Sequence, residues 1–459
     1  MEEAMKKYRK LFLFSMALVF IFSLNFDWLR IPKPEKNKAR YQGIKLQSIN
    51  KGQLFRQKGQ RYVPDEVLVK FKPFLTQTSI EIFLNAYQAK TIEEIQRYGI
   101  YKLEVPEYLS VEEMVWAMEQ NPDVEYVHPN YIVRITAVPK PNDTLFEYQY
   151  ALLNEGQDIG IPGSPNGKNR ADIKALEGWE ETKGIEEVII AVIDTGIDFD
   201  HPDLTNKIAQ NGYDFVNEDT DPTDDHGHGT FVAGVAAADT NNGEGIAGVA
   251  WNCKILPIKA IGEDGTGEYF DLIDSIDYAI QNGADVINMS LGFALNQGEA
   301  APELESALQI AHSSGIISVA SAGNEGDSVL YPAAYDDYCL AVAATDYNDK
   351  RPSWSNFGPE VDVAAPGERI AGCVPLWYWG VGSIPYGFLG GTSTSVPHVV
   401  GMVALIKSLK PWLTADNIMD VIRYSADDIN ASEYPGKDEF IGYGRINMEK
   451  ALVPFIITK

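Results

Sequence analysis

Val188-Ile189-Ile190-Ala191-Val192-Ile193, followed at once by Asp194-Thr195-Gly196, is the stretch that decides the fold. An apolar, largely β-branched run with no polar face predicts a strand buried on both sides of a sheet. Similar runs recur at Ile255–Ile258, Val286–Met289, Ile316–Ala320 and Leu340–Ala344. Helical spacing separates them at Phe231–Ala238, Phe270–Gln281 and Leu304–Ser313, and an apolar helix-like run follows at Val396–Leu409. This β-α-β-α rhythm predicts an α/β domain, a predominantly parallel sheet with helices on both faces.

Upstream the character changes. Residues 62–138 predict a small α+β domain. Glu66–Phe71 alternates as a strand, Val111–Gln120 has helical spacing behind a Ser110 N-cap, and Val124–Val127 and Tyr131–Ile135 are further short strands. Val138-Pro139-Lys140-Pro141-Asn142-Asp143 is a proline-rich junction, a natural boundary or cleavage point, so the larger domain is placed at 139–459. Residues 30–61 are basic and without apolar periodicity, which reads as a linker. Residues 1–29 begin with Lys6, Lys7, Arg9 and Lys10 ahead of the apolar run Leu11–Leu24. They read as a signal peptide or an uncleaved N-terminal anchor, so export is expected and membrane contact only through residues 11–29.

The net charge of −27 is uneven: residues 1–139 sum to +4 and residues 140–459 to −31. A body that acidic, with no basic stripe, excludes nucleic acid as a partner and favours bound cations. The three cysteines, Cys253, Cys339 and Cys373, have no metal-ligand spacing and make no disulfide framework.

In open parallel sheets chemistry collects at the carboxyl ends of strands. Asp194 directly follows the deciding strand, and His228, in Asp225-His226-Gly227-His228-Gly229-Thr230, opens a helix. Ser393, in Gly391-Thr392-Ser393-Thr394-Ser395-Val396-Pro397-His398, precedes another, with Pro397 suited to a first helical turn. Each has a bland reading: a turn-capping carboxylate, a surface histidine, an ordinary helix cap. Together a carboxylate, a histidine and a serine at glycine-flanked element boundaries form a possible orienter, base and nucleophile.

Asp194-Thr195-Gly196-Ile197-Asp198, His228-Gly229-Thr230-Phe231-Val232-Ala233-Gly234 and Gly391-Thr392-Ser393…Pro397-His398 resemble the three signatures of the subtilisin-like serine proteases, the subtilase family, in its thermitase-like branch. Asn288-Met289-Ser290-Leu291-Gly292 and Ser321-Ala322-Gly323-Asn324-Glu325-Gly326 are also similar to family segments, and the likeness extends from Asp143 to Asn447. The 62–138 unit, with Val124-Glu125-Tyr126-Val127-His128-Pro129-Asn130-Tyr131, is similar to the family's inhibitory propeptide.

The resemblance implies an exported serine endopeptidase made as a zymogen, with protein or peptide substrates and its own propeptide as intramolecular inhibitor. It implies Ser393 as nucleophile, His228 as base, Asp194 as orienter and Asn324 in the oxyanion hole. Gly265, Thr266 and Gly267, with Ser290, Leu291 and Gly292, would offer strand edges to the substrate backbone. Tyr269 would line one subsite, and Leu330 would lie near the base of the main specificity pocket. Two alternatives stand beside this: a catalytically silent binding module on the same fold, and a peptide ligase or cyclase using the same acyl-enzyme.

Calcium is the expected cofactor. Asp214, Asp219, Asp221, Asp224 and Asp225 crowd one loop, where carboxylates repel unless a hard cation sits among them. The resemblance implies Asp214, Asp219 and Asp221 as ligands there. It implies a second, stronger site from Asp143, Asp203 and Asn242 with the carbonyls of Thr240, Glu244 and Ile246. The aromatic-rich stretch Val374–Leu389 reads as a hairpin packed on the body, or as a substrate or partner surface.

Overall fold

In a computed structural model of the chain, residues 62–452 are described except for 107, 132–138, 158, 160–166, 210–211, 297–298 and 379–383. The segments read as a leader or anchor and as a linker, the strand end expected at Tyr131–Ile135 and most of the proline-rich junction's upstream flank therefore lie wholly or partly outside the described residues. Among those described, no helix is long and apolar enough to cross a membrane. The chain divides into two units, one holding Asn37–Ala137 and the other Val138–Lys459.

The smaller unit runs β1 (Tyr62–Phe71), α1 (Gln77–Ala86), β2 (Lys90–Ile95), β3 (Ile100–Glu104), α2 (Val111–Glu119), β4 (Val124–Tyr131). Its antiparallel sheet has the order β2-β3-β1-β4. Val67, Val69, Leu103, Met114 and Met118 are fully buried between sheet and helices. A capping box starts α2: Ser110 Oγ accepts from Glu113 N at 3.2 Å, and Glu113 Oε2 accepts from Ser110 N at 2.8 Å. Removing such a cap costs about 1 kcal/mol. The sequence suggested a break between Val127 and Tyr131. Instead β4 continues through Pro129, because β4 is an edge strand, where a residue without an N–H is tolerated.

The larger unit contains α3 (Ala175–Glu181), β5 (Ile189–Asp194), β6 (Tyr213–Asp214), α4 (His228–Ala237), β7 (Lys254–Lys259), α5 (Tyr269–Gln281) and β8 (Val286–Met289). It continues with α6 (Pro302–Ser313), β9 (Ile317–Ser321), β10 (Cys339–Thr345), β11 (Val361–Pro366), β12 (Ile370–Cys373), β13 (Tyr386–Leu389), α7 (Thr392–Leu409), α8 (Ala415–Ser425) and α9 (Met448–Leu452). Seven strands form one parallel sheet in the order β11-β10-β9-β8-β5-β7-β6.

The deciding strand is buried on both faces. Ile190 and Val192 enter the core shared with α4 and α7, while Ala191 and Ile193 enter the core shared with α5 and α6. The strand order turns at β5, which has β7 on one side and β8 on the other. The crevice outside the carboxyl ends of β5 and β8 is therefore the topological switch point, where ligands bind in such sheets. Cys253, Cys339 and Cys373 are all free and buried. The aromatic stretch supplies one arm of a hairpin: β13, at its end, pairs with β12, which directly precedes it, and Tyr386 and Phe388 are buried, whereas Trp377 is half-exposed and Trp379 lies outside the described residues.

Candidate active site

Asp194 ends β5 at the switch point and is buried. The first turn of α4 comes against it because Gly229 has no side chain: a Cβ there would lie 2.2 Å from Gly196 O. His228 Nδ1 consequently sits 2.8 Å from Asp194 Oδ1, which also accepts from Thr195 N at 2.8 Å. A carboxylate can only accept, so Nδ1 carries the proton and Nε2 keeps its lone pair. Asp194 Oδ2 is buried without a partner among the described residues, so its charge is answered chiefly by the imidazole. Burial pulls the His228 pKa down, but the charge and hydrogen bond of Asp194, with a contribution from Asp224, carry it above that of an ordinary imidazole.

Ser393 is presented by α7, which starts earlier than its sequence suggested. The N-cap is Gly391 and the helix begins at Thr392, so Ser393 is its second residue and Pro397 lies inside the helix, not in its first turn. A proline there cannot donate to the carbonyl four residues back, which is that of Ser393. Ser290 takes up the freed acceptor: its Oγ donates to Ser393 O at 2.8 Å. One residue expected at a substrate edge thereby supports the backbone of Ser393, the expected nucleophile.

The neighbouring hydroxyls are engaged elsewhere. Thr394 Oγ1 donates to Gly391 O at 2.9 Å and Ser395 Oγ to Ala365 O at 2.9 Å, and both residues are buried. Ser393 is the partly exposed hydroxyl of the three. Among the described residues Ser393 Oγ makes no hydrogen bond to His228; such pairs are often loose until substrate binds.

Asn324 reaches the same place from the loop after β9. Its Oδ1 accepts from Thr392 N at 2.8 Å and from Thr392 Oγ1 at 3.0 Å. Those donors fix the amide orientation and turn Nδ2 toward the site. A Cβ on Gly391 would stand 3.1 Å from Ser393 Oγ and 3.4 Å from Asn324 Nδ2, so the two groups flank one point at the helix N-terminus. An amide donor, a free backbone N–H and the positive helix end suit a developing oxyanion.

The expected substrate edges are accessible or adjoin the site. Residues 263–270 are all exposed, with Gly265 and Thr266 in a turn closed by Gly262 N donating to Thr266 O at 2.8 Å and Gly267 directly after it. Tyr269 is half-exposed and its ring meets that of Phe293 edge-on at 5.6 Å. Leu291 O accepts from Ser321 Oγ. A Cβ on Gly292 would lie 3.0 Å from Leu330 Cβ, so Leu330 and the Ser290–Gly292 segment share one wall.

Two supporting residues were not singled out in the sequence. Asn356, fully buried, holds the Asn324 loop: its Oδ1 accepts from Glu325 N and Asp327 N, and its Nδ2 donates to Ser328 O and Glu325 Oε2. Asp224, grouped above with an acidic loop, instead builds the start of α4. Its Oδ1 accepts from Thr195 Oγ1, His226 N and Gly227 N, and its Oδ2 from Thr230 N and Thr230 Oγ1. The available signal was a carboxylate four residues before the helix-opening histidine, a position that suits side-chain capping.

The two calcium sets behave differently. Asp214 is buried with both carboxylate oxygens taken by Asn217, while Asp219 accepts from Asp221 N and Asp221 from Thr223 Oγ1. These carboxylates accept from donors in their own turns. Among the described residues no group of three or more His, Cys, Asp or Glu is placed to hold a metal.

The second set depends on amides and carbonyls as well. Asp143 and Asp203 are buried, and the Asn242 loop is tied to both: Asn241 N donates to the Asp143 carboxylate, while Asn242 Nδ2 and Ile246 N donate to that of Asp203. Burial pushes Asp203 up to about 7 despite those bonds, and Asp143 adds to the rise. Two buried, mutually repelling carboxylates beside an asparagine and loop carbonyls fit a hard cation.

The family model described as "Subtilase family" matches residues 186–444, and the one described as "Fervidolysin N-terminal prodomain" matches residues 49–130, starting within the stretch read as a linker. A protein named "Thermophilic serine proteinase" from Bacillus sp. (strain AK1) is 38% identical over 393 residues, covering 85% of this chain and 88% of that protein. The "Halolysin-like extracellular serine protease Nep" of Natrialba magadii is 37% identical over 341 residues, 72% of this chain and 56% of that protein. Among solved structures, a protease from Pseudoalteromonas arctica PAMC 21717 aligns with a TM-score of 0.57 at 30% identity, over 68% of this chain and 98% of that one.

Proposed function

The chain belongs to the subtilase family of serine proteases and carries an N-terminal prodomain, and on that premise we propose that it is an exported endopeptidase, made as a zymogen, that works through an acyl-enzyme on Ser393. The observation that carries this reading is the 2.8 Å contact of His228 Nδ1 with the buried Asp194, supported by a serine hydroxyl and an asparagine amide that flank one point at the N-terminus of α7. His228 Nε2 takes the Ser393 Oγ proton as Oγ attacks the peptide carbonyl. The oxyanion is held by Asn324 Nδ2 and the Ser393 N–H. The imidazolium then gives its proton to the leaving amine, and water resolves the ester by the reverse steps.

Asn324→Ala is expected to leave a folded chain with kcat lowered about 10²–10³-fold, a magnitude measured on subtilisins themselves. Steady-state kinetics with a chromogenic peptide check it, and unchanged turnover would remove Asn324 from the mechanism.

The prodomain acts in this reading as intramolecular inhibitor until the chain is cut near 138–142. The basic, apolar N-terminus and a relative named as extracellular support export. Leu330, uncharged and beside Gly292, favours apolar substrate side chains of modest size. Digestion of a peptide library by the purified chain tests both activity and preference. Cleavage after apolar residues is expected, whereas a profile dominated by Arg or Lys would contradict the role of Leu330, and no cleavage at all the protease reading.

Calcium would be held by Asp143, Asp203 and Asn242 with the carbonyls of Thr240, Glu244 and Ile246, where it neutralises buried carboxylate charge. Chelation is therefore expected to lower the melting temperature while leaving the Asp194–His228 pair intact. Identical melting curves with and without chelator would exclude a structural ion.

A further inference from the structure

We infer that Lys259 is a positioning residue that ties the Gly262–Gly267 substrate edge to the Asp194–His228 pair, so that a peptide seated on that edge raises turnover and not affinity alone. The inference rests on the protease reading above and concerns a residue with no place in its chemistry.

Lys259 ends β7 in register with Asp194 at the end of β5. Its side chain is only 1% exposed. A buried ammonium is costly to desolvate, and an apolar residue of similar volume would pack the same space without that cost. The lysine is nevertheless fully satisfied: its three donors meet three acceptors, on three different segments. Nζ donates to Thr195 O at 2.9 Å, to Asp225 Oδ1 at 2.6 Å and to Ile261 O at 3.1 Å.

Those segments are the residue after the orienting Asp194, the turn leading into His228, and the start of the exposed edge. The backbone repeats the tie, since Asp194 O accepts from both Ala260 N and Ile261 N. Asp224 joins two of these parts a second time, linking Thr195 Oγ1 to the first turn of α4. A peptide that orders the edge therefore pulls on a frame whose far members are the orienting carboxylate and the base. Displacement of such groups by about 1 Å can cost on the order of 10²-fold in rate.

The experiment compares the parent chain with Lys259→Met and Asp225→Asn, using a peptide series lengthened residue by residue toward the Gly265–Gly267 edge. The parent is expected to gain in kcat as the peptide grows. In Lys259→Met, kcat on the longest peptide is expected to fall about ten- to hundredfold, with KM still improving with length but kcat flat. Asp225→Asn keeps an acceptor without its charge and should show the same pattern in weaker form. Because Asp225 is part-exposed, that variant carries the test if Lys259→Met fails to fold. Variants that retain the parent's length-dependent rise in kcat overturn the role of Lys259 alone. A parent chain that cleaves none of the peptides overturns the protease reading together with it.

Discussion

Ser393→Ala is expected to lower kcat by about 10⁶-fold while the chain still folds and binds peptide, a loss of the size measured when the nucleophile of a subtilisin is removed. The effect is large because nothing nearby can replace Oγ. Thr394 and Ser395 carry hydroxyls of the right kind, but each is buried and donates to a carbonyl, at Gly391 O and Ala365 O respectively. Recruiting either would require breaking that bond and rotating the first turn of α7. The residual rate should be carried by the oxyanion donors and by binding, which remain when the nucleophile is lost. Peptide hydrolysis by purified parent and variant, with melting curves to show that both fold, measures the drop. A loss smaller than about a hundredfold would mean that another group attacks.

Asp194→Asn is expected to lower kcat about 10⁴-fold with little change in the surrounding packing. Asparagine fills the same space, but its amide can offer a donor where the carboxylate offers only lone pairs, so the imidazole loses the force that keeps its proton on Nδ1. The imidazolium formed in the transition state also loses its counter-charge. The pH profile should move as well. His228 must be neutral to act as base, so kcat/KM in the parent falls as pH drops through a pKa held above the ordinary imidazole range. Without Asp194 the downward pull of burial remains and only the smaller upward contribution of Asp224 opposes it, so the acid limb shifts to lower pH. Kinetics across pH check both points. An acid limb unmoved in Asp194→Asn would show that another group governs it.

Much of this was legible in the chain because it is local. A β-branched run such as Val188–Ile193 states its own burial, and the structure places that strand at Ile189–Asp194 with alternate residues in two cores. The residues that end strands or open helices were also visible, since glycine flanks them. What was hidden depends on partners distant in sequence. Pro397 reads as a first-turn residue until Ser290, 103 residues away from Ser393, is seen to take the carbonyl it frees. Asp224 reads as one more charge in an acidic loop until its five donors are counted on both sides of the Asp194–His228 contact. In the acidic loop the count of charges was visible, but not that Asn217 donates to both carboxylate oxygens of Asp214. β2 escaped notice for the opposite reason: all six of its residues are exposed, so no alternation marks it.

Labelling with a fluorophosphonate tests the central claim most directly. The reagent traps a serine only when a base activates it and an oxyanion site receives the phosphoryl oxygen, so it reports Ser393, His228, Asp194 and Asn324 acting together. Mass spectrometry of the digested, labelled chain is expected to find one adduct, on Ser393, absent from Ser393→Ala and strongly slowed in Asp194→Asn. An adduct on Thr394, Ser395 or any residue outside this site, or labelling that persists in Ser393→Ala, would contradict it.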